Sequence, residues 1–201
     1  MIISKLYNFV FIAVPKTGTS SIEKRLKETL GESCDLFSKS REQTDSNFHK
    51  HTTLSNLLEC APQYQNMNYF GFVRNPWAKI VSWYTYLKIA EYSPHYIGDQ
   101  NLSFDDFIES APNFVFFPSA QFLTVDSNIK NTFVGKFENI EHDYKKMCSI
   151  IGIECLDLPH INKSNFAKKH FTEYYNKHTK SFVETVCKKD IEMFNYKFED
   201  D

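Results

Sequence analysis

A chain of 201 residues is long enough to bury a full core and falls within the size of one domain, so a single domain over residues 1–201 is expected. Its 23 Lys and Arg against 25 Asp and Glu leave a formal charge of −2, which excludes a global basic field for nucleic acid and confines any anion site to local groups. A 42% hydrophobic fraction that is unusually aromatic, with 19 Phe and 11 Tyr, excludes a disordered chain.

The first element is NFVFIAV, a strand, followed by PKTGTSS and the helix SIEKRLKETLG. In that helix Ile22, Leu26 and Leu30 recur at helical spacing and Gly31 supplies the stop. The apolar run Phe9 to Val14 leads into Pro-Lys-Thr-Gly rather than a small-residue cleavage site, so it reads as a strand and not a signal peptide. Ser33 to Asn56 is polar with weak periodicity and carries His49 and His51. A second unit follows: NYFGFV, then RNP, then the helix WAKIVSWYTYL, with Asn75 as N-cap and Pro76 at the first helical position.

Residues 88–102 read as a loop, and SFDDFIES as a short helix capped by Ser103. The third unit is NTFVGKF feeding ENIEHDYKKMCSIIG. After the turn-like LPHINKS, one long helix is expected to bury Phe182, Val183, Val186, Ile191 and Phe194. Strands apolar on both faces and separated by helices predict an α/β fold with a central parallel sheet flanked by helices in three layers. Ligands of such sheets bind beyond the carboxyl ends of the strands, which directs attention to PKTGTSS, RNP and the segment around Glu138.

No stretch approaches the roughly 20 apolar residues that span a bilayer. The five cysteines are odd in number, scattered and without a C-x-x-C pair, which favours a reducing compartment; Cys155 with Cys187 is the pairing open in an oxidising one. The one basic stretch runs from His160 to Lys180, and most of its lysines read as a solvated helix face.

A loop that leaves a buried strand and starts a helix presents unpaired N–H groups and the positive end of the helix dipole to an anion. In PKTGTSS, Gly18 permits close backbone approach, Thr17, Thr19, Ser20 and Ser21 offer hydroxyls, and Lys16 adds a mobile charge. Taken alone, the segment also fits an ordinary helix-capping turn. It is not a Walker A loop, since Lys16 precedes the lone Gly and no strand-end Asp follows at RNP or KFEN for Mg²⁺. In RNPWAKIVSWY, Arg74 stands at a strand end and Ser82 lies two helical turns beyond the N-cap on nearly the same face, so the two can address one ligand across a rise of roughly 10 Å.

PKTGTSS resembles the 5′-phosphosulfate loop of sulfotransferases, and FVRNPWAKIVSWY resembles their 3′-phosphate segment. The resemblance extends through FVGKFENIEHD and LPHINKS and is closest to the carbohydrate sulfotransferases, including the heparan sulfate 2-O-sulfotransferase type. It implies a P-loop-like sheet, 3′-phosphoadenosine 5′-phosphosulfate (PAPS) as donor, adenosine 3′,5′-bisphosphate (PAP) as product, and no metal. By the same resemblance Lys16 to Ser21 hold the phosphosulfate, Arg74 and Ser82 the 3′-phosphate, and Lys163 closes over the nucleotide, although the Arg-Lys-Gly triplet common there is absent.

The acceptor hydroxyl must lose its proton, and a histidine suits that task near neutral pH. His49-Lys50-His51 resembles the H-x-H element of the 2-O-sulfotransferases, whose second His is the base. This assigns the base to His51 and an assisting or acceptor-binding role to His49, with His160 the alternative base. No neighbouring Cys or carboxylate completes a zinc set with the two histidines. The expected acceptor is a carbohydrate or another hydroxyl compound. Trp83, Tyr84, Tyr86 and Tyr92 are available to stack on a sugar, though their helical spacing equally suits a core. The short chain without a stem predicts a bacterial or viral-type cytoplasmic enzyme, with the Golgi lumen as its place only if the sequence is a truncated piece. The competing readings are a P-loop-like nucleotide or nucleoside kinase, which needs Mg²⁺ and ATP, and a non-catalytic nucleotide- or glycan-binding domain.

Overall fold

Strand β2 (Phe9–Ile12) is buried along its whole length, and the apolar run continues through Ala13 and Val14. The structure is a computed structural model that describes residues 1–37, 48–126, 128–129, 132–159, 161 and 169–200. Two compact units divide the chain: Met1–Val73 with Ser119–Ile161, and Arg74–Pro118 with Asn162–Asp201.

In the first unit β2 pairs in parallel with β4 (Asn68–Val73), from Phe9↔Asn68 to Ile12↔Gly71, and β4 pairs in parallel with β5 (Thr132–Lys136). These three strands are the ones the hydrophobic runs predict. Two short strands extend the sheet antiparallel on its other side: β1 (Ile2–Ser4) beside β2, and β3 (Asp35–Leu36) beside β1. The order is therefore β3-β1-β2-β4-β5, a parallel core with an antiparallel edge. Three and two residues are too short for a periodicity to register, which is why sequence reading passes over them.

Side-chain alternation along β2 and β4 sends Phe9, Phe11, Phe70 and Phe72 to one face. There they pack with Ile22, Leu26 and Leu30 of α1 (Thr19–Leu30) and with Tyr144, Met147 and Cys148 of α6 (Ile140–Ile151). In β4, Gly71 admits the side chain of Leu123 so closely that a Cβ would lie 2.4 Å from Leu123 Cδ2. Leu123 belongs to α5 (Ala120–Leu123). Within the weakly periodic stretch, α2 (Leu54–Cys60) starts at Thr53, whose hydroxyl accepts from Asn56 N–H.

The second unit is helical. Its core gathers Trp77, Ile80 and Val81 of α3 (Pro76–Leu87), Phe104, Phe107 and Ile108 of α4 (Phe104–Ser110), and Val183 with Cys187. Ser103 caps α4 as expected. The single long helix expected near the end is two, α7 (Lys177–Val186) and α8 (Lys188–Phe194), which meet at Cys187 with φ −103° and ψ 15°. The hydrophobic spacing runs on through the break, so the pattern does not betray it. In α8, Asp190 is fully buried and pairs with Lys79 of α3 at 3.3 Å, and Lys79 also donates to Phe117 O at 2.9 Å. Removing one partner of such a buried pair costs about 3–5 kcal/mol. All five cysteines are free thiols, with Cys155 exposed and Cys187 buried. No helix among the described residues is long and apolar enough to cross a membrane.

Candidate active site

The loop after β2 turns twice through the left-handed region, at Lys16 (φ 65°) and at Gly18 (φ 76°). Thr17 between them is buried, and its Oγ1 donates to Val14 O at 2.9 Å, which ties the loop back to the strand end. Gly18 is the N-cap of α1; no side chain caps the helix and no acidic residue stands in its first turn. Ser21 N–H and Ile22 N–H both donate to Gly18 O, while among the described residues no acceptor meets the N–H groups of Gly18, Thr19 or Ser20. Three backbone donors are thus left open at the positive end of a twelve-residue helix, the arrangement that holds a phosphate-like anion. At Gly18 the positive φ strains any side chain, and a Cβ there would lie 2.5 Å from Ile140 Cδ1.

His51 hangs from the same strand end. Its Nδ1 lies 2.6 Å from Ala13 O, and because a carbonyl only accepts, the proton sits on Nδ1 and the lone pair of the neutral ring on Nε2. Burial pushes the imidazole down to about 4; the hydrogen bond to Ala13 opposes this, the Lys50 and Met1 ammonium groups add to it, and Glu23 opposes it. The ring is therefore neutral at pH 7. His49 lies in the same turn: its Nδ1 accepts from His51 N–H at 3.2 Å, and its own N–H donates to Thr52 Oγ1 at 2.8 Å.

Lys50, between the two histidines, is a residue the sequence reading passes over. Its Nζ donates to Ser20 Oγ at 3.2 Å and lies 3.3 Å from Glu23 Oε2, joining the histidine turn to the loop. Glu23 is buried and also pairs with the Met1 ammonium. Beside this network lies an open cleft of about 440 Å³, lined by Ser20, Glu23, Lys24, Lys27 and Lys50 among others. The signal for Lys50 was its place inside His49-Lys50-His51, but the Ser20 and Glu23 contacts are long-range and leave no pattern. Ser21 turns its Oγ toward Ile161 N–H, 3.4 Å away.

Arg74, Ser82 and the aromatic candidates belong to the second unit. Arg74 follows β4 directly and is half-buried, and Ser82 is half-buried in the middle of α3. Asn75 between β4 and α3 caps the helix, its Oδ1 accepting from Trp77 N–H and Ala78 N–H. Lys163 and His160 lie outside the described residues. Trp77 is core, whereas Trp83 stacks edge-on against Phe114 and Tyr92 is 82% exposed. Among the described residues no three His, Cys, Asp or Glu side chains are grouped to hold a metal ion.

A mixed sheet whose inner parallel strand feeds a glycine-turned, anion-ready helix start is the architecture of P-loop-like transferases. Within that class the chain belongs to the sulfotransferase family, whose model it matches over residues 1–197. Two solved structures share the fold. The mouse sulfotransferase SULT7A1 complexed with PAP superposes with a TM-score of 0.61 at 15% identity, over 94% of this chain and 86% of that one. A sulfotransferase from Alicyclobacillus acidocaldarius gives 0.50 at 12% identity, over 95% and 96%. An uncharacterized protein of Archaeoglobus fulgidus is 35% identical over 88 residues, 42% of this chain and 67% of that protein. The chain is an enzyme of sulfuryl transfer.

Proposed function

We propose that this enzyme takes its sulfuryl group from PAPS and passes it to a carbohydrate hydroxyl, with His51 as general base and without a metal. The observation that carries the reading is the strand end shared by the loop and the base: Ala13 O holds His51 Nδ1–H while, a few residues on, the uncapped start of α1 presents its N–H groups.

In this reading the N–H groups of Gly18, Thr19 and Ser20, with Lys16, hold the 5′-phosphosulfate. Nε2 of His51 removes the acceptor proton, the acceptor oxygen forms a bond to sulfur, and the bond from sulfur to the bridging phosphate oxygen breaks. PAP leaves carrying that electron pair. The negative charge gathers on the bridging oxygen, where the fixed N–H dipoles need no reorganisation to stabilise it and the Lys16 ammonium adds positive charge. The neutral His51 ring is in the protonation state a base requires, and its fixed tautomer aims the lone pair. Arg74 and Ser82 as ligands of the 3′-phosphate, Lys163 as a closing residue and His49 as an acceptor contact rest on the sequence resemblance. Support for the donor comes from family membership and from the PAP-bound mouse enzyme of the same fold.

The test is calorimetric titration of the full chain with PAP in EDTA, beside AMP and ATP, followed by a screen of sugar acceptors with PAPS. Binding that needs the 3′-phosphate and is lost in Arg74→Ala is expected. A preference for ATP with Mg²⁺ would overturn the reading.

A further inference from the structure

Asn, Asp and Ser serve almost equally well as N-caps, because each supplies a side-chain oxygen to the first N–H groups of the helix. Asn75 does more than cap. Its Oδ1 accepts from Trp77 N–H at 3.1 Å and Ala78 N–H at 3.4 Å, and its Nδ2 donates to Lys197 O and Asp200 O, each at 2.9 Å. Both acceptor and both donor positions of the amide are used, in a side chain with no exposure. A serine or aspartate there would keep the cap and lose the two bonds to segment 197–200.

That segment is built to be gripped. It closes on itself through Lys197 N–H to Asp200 Oδ2 at 2.7 Å and Asp200 N–H to Lys197 O at 3.2 Å, which turns both carbonyls toward Asn75. Its Phe198 ring stands edge-on to Trp77, with centroids 5.4 Å apart, and also meets Tyr175 and Phe171. Trp77 is fixed in turn by its indole N–H on Lys180 O and by Tyr175 OH on its carbonyl. The backbone immediately after Arg74 is thus locked by groups from far along the chain, and Phe198 and Asp200 lie past the residues the family model matches.

We propose that Asn75 and segment 197–200 form a positioning element for Arg74, holding the backbone that carries its guanidinium so that the 3′-phosphate of the donor is met without reordering. The inference rests on the donor reading above, in which Arg74 binds that phosphate. A backbone fixed beforehand saves the ordering cost at the moment of binding, and that saving appears as affinity for the group Arg74 contacts and for no other part of the ligand.

The experiment compares Asn75→Ser, Asn75→Asp, Phe198→Ala and Phe198→Tyr with the wild-type chain and with Arg74→Ala, measuring affinity for PAP and for AMP, which lacks the 3′-phosphate. Asn75→Ser and Phe198→Ala should weaken PAP by about tenfold with AMP unchanged, the loss of one to two buried contacts. Phe198→Tyr, which keeps the ring, should bind PAP as the wild-type chain does. Equal losses for PAP and AMP, or no loss in any clamp variant while Arg74→Ala removes the preference for PAP, would overturn the positioning role alone. An Arg74→Ala chain that still prefers PAP would overturn the donor-site reading and the positioning role together.

Discussion

The junctions β2–α1 and β4–α3 start from neighbouring parallel strands in register and solve the beginning of a helix in opposite ways. At the first, a left-handed glycine stands where a capping side chain usually does, so the leading N–H groups face outward. At the second, Asn75 consumes the first N–H groups, and Pro76 removes another by having none. The difference teaches how one architecture leaves the N–H groups open at one helix start and fills them at the other. A bare helix start binds through backbone dipoles that are rigid and uncharged. A capped one has no such donors left, so in the proposed reading the 3′-phosphate is met there by side chains, those of Arg74 and Ser82.

The largest expected effect strikes the group attached to the bare junction. His51→Ala should lower kcat by about 100- to 10,000-fold, the range of a lost general base, while PAP affinity in a titration stays near wild type. A variant with turnover intact would remove the base from the β2 strand end.

Gly18→Ala should come next. The left-handed turn costs an L-residue about 1–2 kcal/mol, and the new Cβ meets Ile140 Cδ1 at 2.5 Å, so Tm should fall and donor binding with it. Asn75→Ala at the other junction should cost about 1 kcal/mol through its lost cap alone, with more for the two carbonyls left behind. Thermal unfolding of both variants side by side measures how differently the two helix starts are held.

Acidity gives a third handle. With His51 pushed down to about 4, the acid limb of kcat/KM should lie near pH 4, and a limb near the ordinary value of about 6.5 would sink the assignment. Stability follows the same sign. The unfolded chain takes up a proton at this histidine near 6.5 and the folded chain only near 4, so the burial carries no penalty above 6.5 and destabilises progressively as pH falls from 6.5 toward 4. Urea midpoints at pH 7 and pH 5 should show His51→Gln losing less stability than wild type.

The smallest effect belongs to Lys50→Met. It removes a cation that depresses the basicity of His51, so the acid limb should move upward, and it frees Ser20 from the histidine turn. A limb that stays put or moves down in the pH profile would show that Lys50 does not act on the base.

Much of this protein is local and was legible as such. The three parallel strands announce themselves as apolar runs, and Gly31, Ser103 and Asn75 mark helix ends by chemistry that acts within a few residues. The loop PKTGTSS carries its own left-handed glycine, so its likeness to a phosphosulfate loop is legible in the sequence itself. Tertiary structure alone decided the rest. The antiparallel edge of β1 and β3, the bridge from Lys50 to Ser20 and the grip of Asn75 on residues 197–200 each join parts of the chain through space, and the break between α7 and α8 at Cys187 interrupts a hydrophobic spacing that runs on through it. A hydrogen bond between residues 122 positions apart leaves no periodicity behind, because its partners are chosen by where the fold delivers them and not by their neighbours in sequence.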